Sequence, residues 1–481
     1  MSPKHTLPLC IALFLITLNG FANDKAPAKP LNVLLIVVDD LGWSDLGCYG
    51  ADLHQTPNID NLCKDSMKFT DAYAAASICT PTRASIMTGI YPAKLHMTIW
   101  HEAANRSPPT NRALIPPSVQ ANLAHHHMTL AESFQQAGYR TAHLGKWHLG
   151  TAGFYPELHG FDVNIGGTFW GCPATFFYPY RGPFGSRQEL RYVPQLDGGQ
   201  PGEYLTDRLT DEAIQIIRSR SERPFFLNMC YYTVHTPIEG KPELTEKYTA
   251  LLKDGQRHRN AHYAAMVESL DENVGRLLSE LKNQKLLDQT VIILTSDNGG
   301  FINKFRGSTV TSNAPLRSGK GSLYEGGVRV PLLIRWPNIT TPNSVSHEPV
   351  TTCDFYPTLQ TALNLPSNVE HNSRVDGNNL FALLQDPSTS LNRGPLFWHY
   401  PHYYQTTDPV SSIRDGNWKL LKYHHSDRVE LYNLDEDISE TTNLAQKQTQ
   451  ITAKLLSKLA AWQTTVHAQM PTLNTQSKKQ R

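Results

Sequence analysis

Residues 31–38 (LNVLLIVV) form an almost unbroken run of leucine and β-branched side chains that ends on two aspartates, Asp39 and Asp40. A strand with one wet face alternates apolar and polar residues. This run has no polar position after Asn32, so it must be covered on both faces. That requirement selects a mostly parallel sheet with helices on both sides. The run 291–295 (VIILT) makes the same demand, and 224–229 (PFFLNM) and 330–334 (VPLLI) are shorter versions of it. Helical patterns at 130–137, 209–219 and 261–282 lie between these runs, so the expected class is α/β, and ligands in such sheets gather at the carboxyl ends of strands.

Beyond residue 379 the pattern changes. Short strands are expected at 418–423 (WKLLKY) and 429–434 (VELYNL), followed by an amphipathic helix at 451–466. Residues 386–470 therefore read as a small α+β domain after a large α/β domain at 23–385, and the polar, basic tail 471–481 is expected to be flexible. At the other end, Lys4 and His5 precede an apolar run at 7–18, and the small residues Gly20 and Ala22 follow it, the pattern of a signal peptide over residues 1–22. The run is shorter than the ~20 residues of a membrane-spanning helix. The expected product is exported, periplasmic or secreted, with no membrane anchor.

With 40% hydrophobic and 18% charged residues, the 481-residue chain can bury a large core. Its 44 Lys and Arg nearly cancel its 43 Asp and Glu, leaving no basic field for nucleic acid. Six cysteines remain after Cys10, too few for a disulfide scaffold and without zinc-site spacing. If the five besides Cys79 pair within the chain, at least one stays free.

The run 291–295 is followed by Ser296-Asp297-Asn298-Gly299-Gly300. If it shares a parallel sheet with 31–38, then Asp39, Asp40, Asp297 and Asn298 meet at one edge. Three carboxylates and one amide suit a hard divalent cation such as calcium or magnesium; the alternative is a pair of solvated turns. In Cys79-Thr80-Pro81-Thr82-Arg83 the proline fits the first turn of a helix that closes near Gly89. Cys79 then sits at the positive end of the helix dipole as a candidate nucleophile, with Arg83 on the same face; the alternative is an inert buried cysteine. Lys146 and His148 are two apart and share a face if their segment is extended. The histidines at 125–127 read as a solvated loop. Trp100, Trp170 and the aromatic segments 178–181 and 399–404 are candidates for stacking on sugar rings.

The string CTPTR followed by ASIMTG resembles the first signature of the type I, formylglycine-dependent sulfatases of the alkaline phosphatase superfamily, and GKWHLG at 145–150 resembles their second. Asp39-Asp40, Asp297-Asn298, His235 in TVHTP and Lys320 in RSGKG fall in the matching order. The resemblance runs from residue 31 to about 466 and extends to the arylsulfatases and N-acetylgalactosamine-6-sulfatases.

The resemblance implies an alkaline phosphatase-like fold and a sulfuric ester hydrolase. It implies that a maturing enzyme oxidises Cys79 to formylglycine. One hydroxyl of the aldehyde hydrate then attacks the sulfur of a sulfate ester, and deprotonation of the other releases sulfate. It also implies one calcium ion held by Asp39, Asp40, Asp297 and Asn298 together with the oxidised Cys79. Arg83 and Lys146 would hold the hydrate, His148 would act as base, and His235 and Lys320 would contact the sulfate and the leaving alcohol. Export favours a sulfated carbohydrate as substrate. Two alternatives stand beside this: a phosphonate monoester or phosphodiester hydrolase with the same nucleophile, and a non-catalytic protein that binds sulfated glycans.

Overall fold

Alternate residues of β1 (Asn32–Val38) enter opposite cores. Leu34, Ile36 and Val38 face one cluster, and Val33, Leu35 and Val37 face another. The even-numbered side is covered by Leu209 and Ala213 of one helix and Leu270, Val274 and Leu277 of a second. The odd-numbered side is covered by Ala84, Leu130, Phe134, Tyr356 and Leu359. An apolar side chain fully buried this way contributes roughly 1.5–3 kcal/mol, so the sequence run is matched by two layers of helix.

The computed structural model describes residues 30–107, 111–219 and 221–475, together with residue 3. The expected signal peptide, residues 1–22, lies outside the described residues apart from residue 3. The remaining strands of the large sheet are β2 (Met67–Phe69), β3 (Arg140–Gly145), β4 (Val163–Ile165), β5 (Phe225–Tyr231), β6 (Thr290–Ser296), β7 (Leu332–Arg335) and β8 (Ser344–Ser346), in the order β8-β2-β7-β6-β1-β5-β3-β4. β1 pairs in parallel with β5 and β6, β3 in parallel with β5 and β4, and β2 in parallel with β8. Only β7 runs antiparallel, against both β6 and β2. The sheet is thus mixed and mostly parallel. The helices used below are α1 (Cys79–Thr88), α2 (Leu130–Gln136), α3 (Leu205–Arg218), α4 (Ala261–Asn283), α5 (Phe355–Ala362) and α6 (Thr449–Thr465).

A second, antiparallel sheet follows: β9 (Leu396–Tyr400), β10 (Val410–Asp415), β11 (Trp418–Tyr423) and β12 (Val429–Asn433). One face packs on α6 through Ile413, Leu420, Leu431, Leu455 and Leu459. The other, with Trp398, Tyr400 and Leu421, packs on Tyr73, Ile78 and Cys79. The small sheet therefore backs the segment that opens α1.

Two expectations need correction. Of the tail 471–481 expected to be flexible, the described residues 471–475 instead pair at Thr472–Leu473 with Leu114–Ile115, and the Asn474 N–H donates to the Ala113 carbonyl. The histidine loop is solvated only at His125 and His126; His127 is buried and its ring stands edge-on to His371. All six described cysteines are free thiols. No helix among the described residues is long and apolar enough to cross a membrane.

Candidate active site

The register carries the acidic residues to one edge. Val38 lies opposite Ser296 of β6 and Tyr231 of β5, and Cys230 lies opposite Gly145 of β3. The residues that leave these strands, Asp39, Asp297 and Lys146, therefore emerge side by side at their carboxyl ends. Main-chain bonds fix the three: Asp39 N–H to Thr233, Asp297 N–H to Val38 and Lys146 N–H to Cys230.

Each carboxylate has its own cation. Lys146 Nζ donates to both oxygens of Asp39, at 2.8 and 2.7 Å. Arg83 Nε donates to Asp297 Oδ2 at 2.8 Å and its Nη1 to the Lys146 carbonyl at 2.7 Å. Lys320 Nζ donates to Asp40 Oδ2 at 2.9 Å. All of these side chains are buried. Burial pushes Asp39 well above the usual carboxylate range although Lys146 opposes it. For Asp40 and Asp297 burial acts the same way, but Lys320 and Arg83 outweigh it and hold both below that range.

Asn298 donates from Nδ2 to Asp40 Oδ1 at 2.7 Å, which leaves its Oδ1 buried without a partner. An orphan amide oxygen among three carboxylates is the donor chemistry of a hard cation, and the four residues fit calcium. Asp39, Asp40 and His235 also bring one ligand atom each to within 4.8 Å of one another. His235 is bound otherwise: its Nε2 accepts from Lys320 Nζ at 2.9 Å, and its Nδ1 donates to the Thr236 carbonyl at 2.8 Å. Burial pulls His235 down to about 3, and Lys320 adds to the effect, so the ring is neutral at pH 7.

Cys79 is the first residue of α1, no side chain caps that turn, and Gly89 closes the helix at φ 71°. The thiol lies on a cavity of about 150 Å³ whose walls include His148, His235, Lys320, Trp100 and Tyr404. The expectation that Lys146 and His148 share a face on an extended segment fails, because the backbone turns into the left-handed region at His148, φ 62°. Lys146 points under the sheet edge to Asp39, whereas His148 enters the cavity. Asp40 has the same unusual φ of 62°. Non-glycine residues held in this region concentrate at functional sites.

A sulfatase family profile matches residues 31–365, and a second, described as N-sulphoglucosamine sulphohydrolase, C-terminal, matches residues 319–465. The chain belongs to the sulfatase family. This sulfatase is 31% identical to a sulfatase of Formosa agariphila over 91% of its own length and 89% of the relative's. It is 30% identical to arylsulfatase A of Homo sapiens over 88% and 85% of the two chains. The solved structure of Ps i-CgsB in complex with k-i-k-neocarrahexaose superposes with a TM-score of 0.73 at 28% identity, covering 90% of this chain and 93% of that one. The fold is alkaline phosphatase-like, and the protein is a sulfuric ester hydrolase.

Two charged residues of the sulfatase cavity carry no sequence signature, Glu102 and Arg191. Glu102 Oε2 lies 2.6 Å from His148 Nε2, and its Oε1 accepts from the Gly171 N–H at 3.0 Å and faces Arg191 at 3.3 Å. Arg191 lies over the rings of Phe184 and Trp170. Of the aromatic segments singled out in the sequence, Trp100 and Tyr404 reach the cavity and meet edge to face at 5.7 Å.

Proposed function

We propose that this sulfatase is an exported enzyme that removes sulfate from a sulfated carbohydrate, using a formylglycine made from Cys79 by a maturing enzyme and one calcium ion. The observation that carries the reading is the position of Cys79 at the opening of α1, on a cavity walled by His148, His235 and Lys320. The orphan oxygen of Asn298 supports calcium at Asp39, Asp40, Asp297 and Asn298. The apolar run at 7–18, followed by Gly20 and Ala22, supports export. The carbohydrate reading is supported by the likeness to Ps i-CgsB, a structure in complex with a neocarrahexaose, and by the aromatic walls Trp100 and Tyr404. On this reading residues 23–385 form the catalytic domain and 386–470 the small domain behind it.

Asp39, Asp40, Asp297 and Asn298 would hold the calcium ion, which would supply Lewis-acid polarisation of the sulfate and a lowered pKa for the hydroxyl at residue 79. The protein's own residues do the rest. Lys146 and Arg83 fix the carboxylates beneath residue 79 and bring two positive charges to the site. His148, neutral at pH 7 because burial pulls it down to about 4, takes a proton at Nδ1 from the second hydroxyl of residue 79. Lys320, hydrogen-bonded to His235, stands where it can hold a sulfate oxygen and supply a proton to the departing alcohol. Such acid–base help is worth about 10² to 10⁴ in rate.

The test is mass spectrometry of the peptide across Cys79 in protein from its native host, joined to rates on aryl sulfate and aryl phosphonate esters. Conversion of the thiol to the aldehyde, with sulfate preferred and Cys79→Ala inactive, is expected. An unmodified thiol in active protein overturns the nucleophile assigned here, and preference for the phosphonate overturns the substrate class.

A further inference from the structure

His148 has two ring nitrogens in different situations. Nε2 is 2.6 Å from Glu102 Oε2, whereas Nδ1 is buried and has no partner. Glu102 is itself enclosed. Burial alone would raise its pKa, but His148 and then Arg191 outweigh that and hold the carboxyl well below its usual range. An ionised carboxylate only accepts hydrogen bonds, so the proton of the neutral ring sits on Nε2 and Nδ1 is left bare. Gly171 completes the clamp. A Cβ at this glycine would stand 2.5 Å from His148 Cε1, so the ring lies flat against the 171 backbone, whose N–H also donates to Glu102.

We infer that Glu102 is the positioning residue for His148: it fixes the tautomer with Nδ1 bare, aims that nitrogen into the Cys79 cavity, and stabilises the ring when it becomes positive. This rests on the reading of His148 as the proton acceptor. The proton leaving the hydroxyl at residue 79 goes to Nδ1, the resulting imidazolium is paired with the Glu102 carboxylate, and the proton then passes to solvent in the cavity. The other charged or titratable groups around the ring are Lys146 and Arg83, which oppose its positive form, His101, and Arg191, already paired with Glu102. Among the described residues Glu102 is thus the one anion hydrogen-bonded to the ring.

Glutamine at 102 cannot reproduce this arrangement. Its one oxygen can serve either the His148 Nε2–H or the donors Gly171 N–H and Arg191, and the amide group then turns donors toward the other side. In matured enzyme, Glu102→Gln is expected to lower kcat by about 10²-fold, the lower end of what a positioned base supplies, with KM within about twofold, and Glu102→Asp to recover part of the loss. A second readout needs neither turnover nor a variant at 102. In 15N-histidine-labelled protein with Cys79 still a thiol, His148, assigned by loss of its signals in His148→Gln, should be the Nε2–H tautomer with a bare Nδ1.

A wild-type ring protonated at Nδ1 overturns the inference even if Glu102→Gln does not fold. So does a Glu102→Gln enzyme with unchanged kcat and tautomer. Failure of the underlying reading looks different: His148→Ala would then keep wild-type kcat while wild-type protein still shows the Nε2–H tautomer of His148.

Discussion

Lys146 Nζ sits 2.7 Å from Asp39 Oδ2 with both side chains fully shielded from solvent. Among the described residues Lys146 is the strongest positive influence on this carboxylate, whose burial already favours its neutral form. Replacing Lys146 by methionine keeps the volume and removes the charge. Asp39 would then be ionised only at a cost of about 3–5 kcal/mol, the cost of breaking a buried pair from one side.

Without Lys146 the folded-state pKa of Asp39 rises further above its unfolded value, so the native state holds the proton longer than the unfolded chain does. Stability of Lys146→Met should equal that of the wild type most nearly at about pH 4 and fall behind as pH rises toward 7. Thermal melts in chelator across that range check this, and a deficit that shrinks with rising pH contradicts it.

Chelation should separate the metal's contribution from the ion pairs. If Asp39, Asp40, Asp297 and Asn298 hold calcium, saturation at a hundred times Kd adds about 2.7 kcal/mol of stability. Chelator should lower Tm and abolish turnover, and added calcium should restore both. Asn298→Ala removes the orphan Oδ1 and should reduce the calcium-induced rise in Tm by more than half while leaving the melt in chelator within a few degrees of wild type.

A second buried charge cluster lies between the small sheet and the large domain. Lys419 Nζ is 2.7 Å from Glu325 and 3.1 Å from Glu440, and all three side chains are enclosed. One lysine cannot fully serve two carboxylates. Glu325, also paired with Arg329, is held down at about 2; Glu440 is raised to about 7 by burial and by Glu325, against the pull of Lys419. Since its folded pKa exceeds the unfolded value, Glu440 destabilises the fold progressively as pH rises from about 5 through 7. Glu440→Gln should therefore gain Tm relative to wild type between pH 5 and 8, and a constant difference over that range would contradict the assignment.

Much of this site is legible in the sequence because its residues end apolar runs or sit in dense motifs. Asp39 and Asp297 follow the two runs whose composition alone demands burial on both faces, and the parallel register then makes them neighbours. β3 escapes the same reading: RTAHLG carries His143, which is buried and bonded to Asn228 at 3.0 Å, so a polar pair inside the sheet masks an interior strand. β10 (VSSIRD) is masked in the same way by Arg414, which is buried because it pairs with Asp71 at 2.8 Å. Glu102 is illegible for another reason. It belongs to a one-turn helix, His101–Ala104, and acquires meaning only from the loop that carries Gly171 and the strand pair that carries Arg191.

Trp100 stands between the Cys79 cavity and a second one of about 250 Å³, whose walls include Arg106, Pro117, His402 and Tyr403. A small aryl sulfate can fill the first cavity alone, whereas an oligosaccharide extending from the same sulfate must pass Trp100 to reach the second. Aromatic contact at such a position is worth about 1 kcal/mol. Trp100→Ala should therefore lower kcat/KM on a sulfated oligosaccharide about fivefold to tenfold more than on an aryl sulfate. Tyr403→Ala, which touches only the second cavity, should affect the oligosaccharide and spare the aryl ester. Steady-state rates on the two substrates decide the matter: equal losses on both would place the saccharide chain elsewhere on the surface and leave Trp100 as a packing partner of Tyr404.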